Sequence, residues 1–130
     1  VSEESNAMTF KAAATSVYTE DGVLTVAFAD SMSADPENYL ILQQEVPRAA
    51  DNREDDYYFE LNDRSMSGEG GFKRANLDHG DLVIVLAEAL AKKYAFSSIR
   101  IRDVQSTCDV EALRESLHSV FDNTGCLFED

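Results

Sequence analysis

An α+β domain is predicted: a mostly antiparallel sheet of about six to seven strands with a C-terminal helix packed on one face. Three observations carry that expectation. Short runs alternate apolar and polar residues with the two-residue period of a half-buried strand. Turn residues separate them, including Asp21-Gly22 and Asp78-His79-Gly80-Asp81. Long helical periodicity appears near the C-terminus, in the stripe Val110, Leu113, Leu117, Val120 and Phe121.

Residues 10–18 and 23–28 flank Thr19-Glu20-Asp21-Gly22 and predict a hairpin with Asp-Gly at its tip. Residues 31–38 contain Pro36 and read as a polar connection. A strand follows over 39–46, ended by Pro47. The interval 49–56 concentrates Asp51, Glu54, Asp55 and Asp56 and reads as an exposed loop. Tyr57, Phe59 and Leu61 then alternate with Tyr58, Glu60 and Asn62, giving a strand with one apolar and one polar edge. A Gly-rich loop through Gly68, Gly70 and Gly71 is expected to lead to a strand over 72–77. Residues 82–86 are apolar on both faces, as for a central strand. Residues 87–94 suit a short helix or helical turn, and 98–104 a strand with Ile99 and Ile101 inward. Ser106 or Thr107 is expected to cap the final helix, and Asn123 and Gly125 to stop it. On a single sheet, the exposed face would carry Tyr58, Glu60, Asn62, Arg100 and Arg102.

The chain has 130 residues, enough for one domain. Ser5-Asn6-Ala7 directly before Met8 reads as an expression-tag remnant, so residues 1–7 are set apart and 8–130 form the domain. Leaving out Glu3 and Glu4 changes the net charge from −14 to −12. Such acidity argues against nucleic acid, whose phosphates need clustered Lys and Arg, and against an anionic membrane surface. It favours rapid encounter with a basic protein. No membrane-span or signal-peptide pattern is present. Cys108 and Cys126 have neither CxxC nor metal spacing, and two isolated thiols fit a reducing cytoplasm.

Catalytic chemistry finds little purchase. His79 and His118 are the only histidines. Glu60 and Asp63 are three residues apart and point to opposite strand faces, and neither cysteine has a basic neighbour. No cofactor or metal set is expected, and the protein reads as a non-enzyme. A small metal-dependent or regulatory protein using Glu60, Asp63 and His79 is the alternative. Asn62 and Asp63 are expected to bond to backbone and shape a turn.

Tyr-x-x-Glu-Leu-Asn-Asp over residues 57–63, followed by Ser67-Gly68-Glu69-Gly70-Gly71, resembles the central motif of immunity protein family 10. That family belongs to bacterial polymorphic toxin and contact-dependent inhibition systems. Tyr39-Leu40-Ile41-Leu42-Gln43-Gln44 and the final strand–helix order are also similar, so the likeness covers roughly residues 23–121. Glu69 and Phe72 depart from the pattern. The resemblance implies an immunity protein that neutralises a cognate toxin C-terminal domain by stoichiometric binding. Acidity adds that the toxin domain is basic. Carboxylates beside tyrosines are apt anchors for it, so the candidate contact residues are Asp51, Glu54, Asp55, Asp56, Tyr58, Glu60, Arg64 and Glu69.

Overall fold

The computed structural model describes residues 7–46, 57–122 and 124–129. β1 (Ala7–Lys11) belongs to sheet I, and at Ala12 and Ala13 the chain passes to sheet II. There β2 (Ala14–Glu20), β3 (Val23–Ala29), β4 (Tyr39–Glu45), β5 (Tyr58–Leu61) and β6 (Asp63–Glu69) lie side by side in chain order. Gly70 and Gly71 return it to sheet I for β7 (Phe72–Asp78), β8 (Asp81–Leu86), β9 (Ser98–Arg102) and β10 (Leu127–Glu129). Sheet I has the order β1-β9-β8-β7-β10. Its outermost pairs, β1 with β9 and β10 with β7, are parallel; the other pairs in both sheets are antiparallel. Helix α1 (Glu88–Tyr94) links β8 to β9, and a short 3-10 helix (Val104–Ser106) precedes α2 (Val110–Phe121).

The α+β class and the antiparallel bias are as expected, but the described residues form two five-stranded sheets rather than one of six to seven, and two α-helices. Size explains the division. A 12-residue helix is roughly 18 Å long, whereas strands spaced about 4.8 Å apart make a ten-stranded sheet far wider than that. Two sheets facing a shared core cover each other instead. Phe59 and Phe72, from opposite sheets, have ring centroids 4.8 Å apart, and Tyr57 meets Phe121 edge-on at 4.9 Å. Helix α2 lies against β3 and β4 and beside β10, and buries Leu113, Leu117, Val120 and Phe121.

Several local expectations change with that architecture. Residues 10–18 are not one strand: the sheet switch at Ala12 and Ala13 divides them into β1 and β2. The Asp-Gly hairpin is present, with Asp21 and Gly22 at φ 54° and 77°, the left-handed pair a two-residue turn requires. The expected glycine loop is mostly β6, because Asn62 at φ 63° reverses the chain at once. Only Gly70 and Gly71 remain as the passage between sheets. Gly71 has φ 104°, and a Cβ there would stand 2.9 Å from Leu90 Cδ2, so glycine is required. Tyr57 fixes this passage: its carbonyl accepts from Gly70 N at 2.9 Å, and its buried hydroxyl accepts from Phe72 N at 2.8 Å.

The α2 cap is Asp109, which accepts from Glu111 N at 3.0 Å; Ser106 and Thr107 belong to the 3-10 helix and its end. Helix α2 ends at Phe121, with Asp122 as its C-cap, before Asn123 and Gly125. β8 is the central strand of sheet I, as its apolar run predicts. Cys108 and Cys126 form no disulfide, and burial pushes the Cys108 thiol up. No described helix is long and apolar enough to cross a membrane.

Candidate partner-binding face

The alternation Tyr57/Phe59/Leu61 against Tyr58/Glu60 decides which side chains leave the core. The first three are 1 %, 1 % and 0 % exposed, and the other two are half-buried on the outer face of sheet II. Register extends that face across all five strands. Tyr18, Thr25, Gln43, Tyr58 and Glu69 form one cross-strand row, and Ser16, Ala27, Ile41, Glu60 and Ser67 the next. Glu20 and Glu45 extend it beside Val23. The paired outer positions carry carboxylates, tyrosines and amides, with no Lys or Arg.

Glu60 is the centre of this surface. Its Oε2 accepts from the Tyr39 hydroxyl at 2.5 Å and its Oε1 from the Tyr58 hydroxyl at 3.0 Å. A hydrogen bond to ionised carboxylate is stronger than one between neutral groups, so the two rings are held in place before any partner arrives. The bond to Glu60, then burial, then repulsion from Glu60 and Asp63 push Tyr39 up to about 12. It therefore stays a neutral donor. Gln43 Nε2 donates to Thr25 Oγ1 at 3.1 Å and organises the adjoining row.

A chain of side-chain bonds sets the position of Tyr39. Asp30 accepts from the Asn38 side chain at 2.9 Å and from the backbone N–H groups of Glu37 and Asn38, both at 3.1 Å. Burial alone would raise the Asp30 carboxyl, but these bonds hold it below its ordinary value. Asn38 in turn accepts from Asn62 Nδ2 at 2.9 Å, and Asn62 Oδ1 accepts from Tyr39 N at 2.8 Å. Asn62 thus shapes the turn, as expected, and anchors β4 as well. Asp63 accepts from Ser65 N at 2.9 Å, and that bond lowers its carboxyl.

Tyr58, Glu60 and Glu69 are brought together. Arg64 is exposed in the irregular stretch of β6 where the register to β5 shifts, outside the two rows. Asp51, Glu54, Asp55 and Asp56 lie outside the described residues. Arg100 and Arg102 do not share this face: β9 is in sheet I, and Arg100 bonds Asp81 at 2.6 Å and Asp78 at 3.4 Å. The sequence reasoning missed Tyr39. Its alternation, with Ile41 and Gln43, against Leu40 and Leu42 marks the correct face, but its contact with Glu60 depends on the β4–β5 register.

The residues of the metal-dependent alternative are separated by the fold. His79 sits in the β7–β8 turn of sheet I with Nδ1 2.7 Å from Asp78, whereas Glu60 and Asp63 are committed in sheet II. Among the described residues, no group of three His, Cys, Asp or Glu side chains could hold a metal ion. His118 is exposed on α2, its ring edge-on to Phe128 at 4.7 Å.

The family model of immunity protein 10 matches residues 9–110. The chain belongs to the immunity protein 10 family. That match spans all of sheet II, including Tyr39, Tyr58, Glu60 and Glu69, and ends at the first residue of α2. No curated protein matches the chain. The later part of α2 still supplies four buried side chains, so the immunity domain's core is completed by residues beyond the matched segment.

Proposed function

We propose that this immunity protein neutralises a cognate bacterial toxin C-terminal domain by binding it stoichiometrically through the outer face of sheet II. The observation that carries the reading is the Tyr39–Glu60–Tyr58 cluster, set on an acidic face whose described paired positions hold no Lys or Arg, in a chain of this family. Tyrosine rings fixed by a carboxylate lose little freedom on binding, and unneutralised carboxylates attract Arg and Lys. The toxin domain is basic, and the complex excludes its substrate from a cationic cleft. Asp51, Glu54, Asp55 and Asp56, between β4 and β5 in sequence, supply further carboxylates to the toxin; Glu69 adds another, and Arg64 contacts the rim. Protection takes place in the cytoplasm and needs no catalysis, cofactor, nucleic acid or membrane.

The test is a quadruple reversal of Asp51, Glu54, Asp55 and Asp56 to Lys, with far-ultraviolet circular dichroism to verify folding. The folded variant is expected to lose protection in a toxicity rescue assay and to dissociate from the toxin in co-purification. Full protection by it would remove the acidic loop from the mechanism. Encounter is expected to slow with added salt, since attraction between exposed charges is screened beyond about 8–10 Å.

A further inference from the structure

We propose that the edge of β2 that no described strand pairs with joins β2 of a second copy of this chain, linking two sheets II across a twofold axis at Val17. The proposal does not rest on toxin binding and uses the opposite edge of sheet II from β6.

The described sheet edges are not equivalent. β10 has only three residues. β1 is short and ends at Lys11, which lies 3.9 Å from Asp103. β6 is blunted by its own side chains: Asp63 takes the Ser65 N–H, and the Ser67 hydroxyl donates to Arg64 O at 2.6 Å. Its register also shifts, and it carries Asp63, Arg64 and Glu69. Natural edges use such devices to refuse further strands. β2 uses none of them. Its seven residues pair with β3 without interruption, include no proline or cation, and place a charge only at the last position, Glu20. Val17 and Tyr18, on opposite faces, are 39 % and 51 % exposed.

Backbone geometry selects the occupant. A two-residue hairpin closes on a pair that exchanges hydrogen bonds, here Glu20 and Val23. Ser16, Tyr18 and Glu20 therefore bond to β3, while Thr15, Val17 and Thr19 aim their N–H and C=O groups at the edge away from β3. The bonds at both ends of β3 agree with this phase. Ala29 O accepts from Ala13 N on the β2 side at 2.8 Å, and Gly22 O accepts from Val46 N on the β4 side at 2.9 Å.

A twofold axis at Val17 uses all three outward residues. Val17 bonds Val17 of the copy, and Thr15 bonds Thr19 of the copy. On one face Val17 meets Val17 and Thr19 meets the methyl group of Thr15, whose hydroxyl is 2.5 Å from that of Thr107; Ser16 meets Tyr18 on the other. Glu20 falls opposite Ala14, so no like charges oppose each other within the strands. The remaining opposition is long-range repulsion between two chains of net charge −14, which salt screens. A single strand edge is a small contact, so the dimer is weak, with a Kd on the order of micromolar or above.

Sedimentation velocity of the protein alone, over a concentration series at low and high salt, tests this. The expected result is a monomer–dimer equilibrium that strengthens as salt rises, opposite to the salt response of an acidic–basic complex. Val17→Pro removes an outward N–H without touching the β3 ladder and should weaken the dimer about ten-fold or more. Val17→Lys, which places like charges on the axis, should do the same with unchanged circular dichroism. A wild-type chain that stays monomeric at the highest attainable concentration overturns the proposal, as does a dimer that survives Val17→Lys. Amide exchange at Thr15, Val17 and Thr19 that slows only when toxin is added assigns the edge to a partner's strand instead. None of these outcomes bears on whether the Glu60 face binds toxin.

Discussion

The two outer sheet faces carry charge in different ways. On sheet I, Arg100 bridges Asp81 and Asp78, and Lys11 approaches Asp103. These two cations have carboxylates beside them: Arg100 ties β9 to the β7–β8 turn, and Lys11 ties β1 to the residue after β9. On sheet II, Glu20, Glu45, Glu60 and Glu69 face outward with no cation at the paired positions. Glu60 is stabilised by neutral hydroxyl donors, which leave its negative charge intact. The net −14 is therefore not a uniform coat. One face uses charge to hold itself together, and the other leaves it available to a partner.

The largest expected effect tests that division directly. Reversing Glu60 and Glu69 to Lys should weaken toxin binding by about 100-fold or more, the scale of losing a desolvated charge pair at an interface. Reversing Arg74 and Arg102 to Glu on sheet I should leave affinity within about three-fold, as for charges outside a contact. Isothermal titration of both double variants against the toxin domain decides between the faces. A loss with the Glu60 and Glu69 reversals matched by a gain with the Arg74 and Arg102 reversals would mean that overall charge, rather than the sheet II surface, governs binding.

The asymmetry was only half legible in the sequence. Strand phase was readable, because Tyr57, Phe59 and Leu61 alternate strictly with Tyr58 and Glu60 and one set must be buried. Sheet membership was not, because β5 and β9 have the same two-residue period and nothing local records which strand lies beside them. Arg100 and Arg102 were therefore expected on the face of Glu60, and the structure puts them in the other sheet. The tight turn at Asn62 was hidden for a similar reason. A residue at φ 63° is chosen by what its side chain binds, here Tyr39 N from 23 positions upstream. Helix α2 was found because its apolar stripe is long, whereas β10 has three residues and gives no period to read.

A smaller effect concerns the structural role of charge on sheet I. Asp81 accepts from Asp103 N at 2.8 Å and from Arg100, and Asp103 is held at φ 62°. Asp81→Ala should cost about 1–3 kcal/mol by leaving those donors without their acceptor. The Arg100 side chain is 38 % exposed, so water screens its share, and most of the loss comes from the Asp103 backbone. Burial opposes ionisation of Asp81, but the Asp103 N–H and Arg100 hold its carboxyl below the ordinary value. Its contribution is therefore complete above about pH 4 and is lost as pH falls through the folded value. Acid unfolding followed by circular dichroism should show a shallower loss below pH 4 in Asp81→Ala, with toxin affinity at neutral pH unchanged.

The smallest effect separates Tyr39 from Glu60 on sheet II. Tyr39→Phe keeps the ring and removes one donor, a change worth about 0.5–1.5 kcal/mol in stability. The folded pKa of Tyr39 is raised to about 12. The stabilising contribution of its protonated form is therefore complete below about pH 10 and lost as pH rises through 12. Burial raises Tyr94 as well, so ultraviolet difference titration should show one fewer late-ionising tyrosine in Tyr39→Phe than in the parent. Glu60→Gln should bring the late ionisation of Tyr39 back toward the ordinary range, because both the carboxylate acceptor and its repulsion of tyrosinate are gone. It also removes the charge that the toxin is proposed to meet, whereas Tyr39→Phe leaves that charge in place. Glu60→Gln should accordingly weaken binding more than Tyr39→Phe does. The reverse order would make the tyrosine hydroxyls, rather than the carboxylate between them, the groups that the partner recognises.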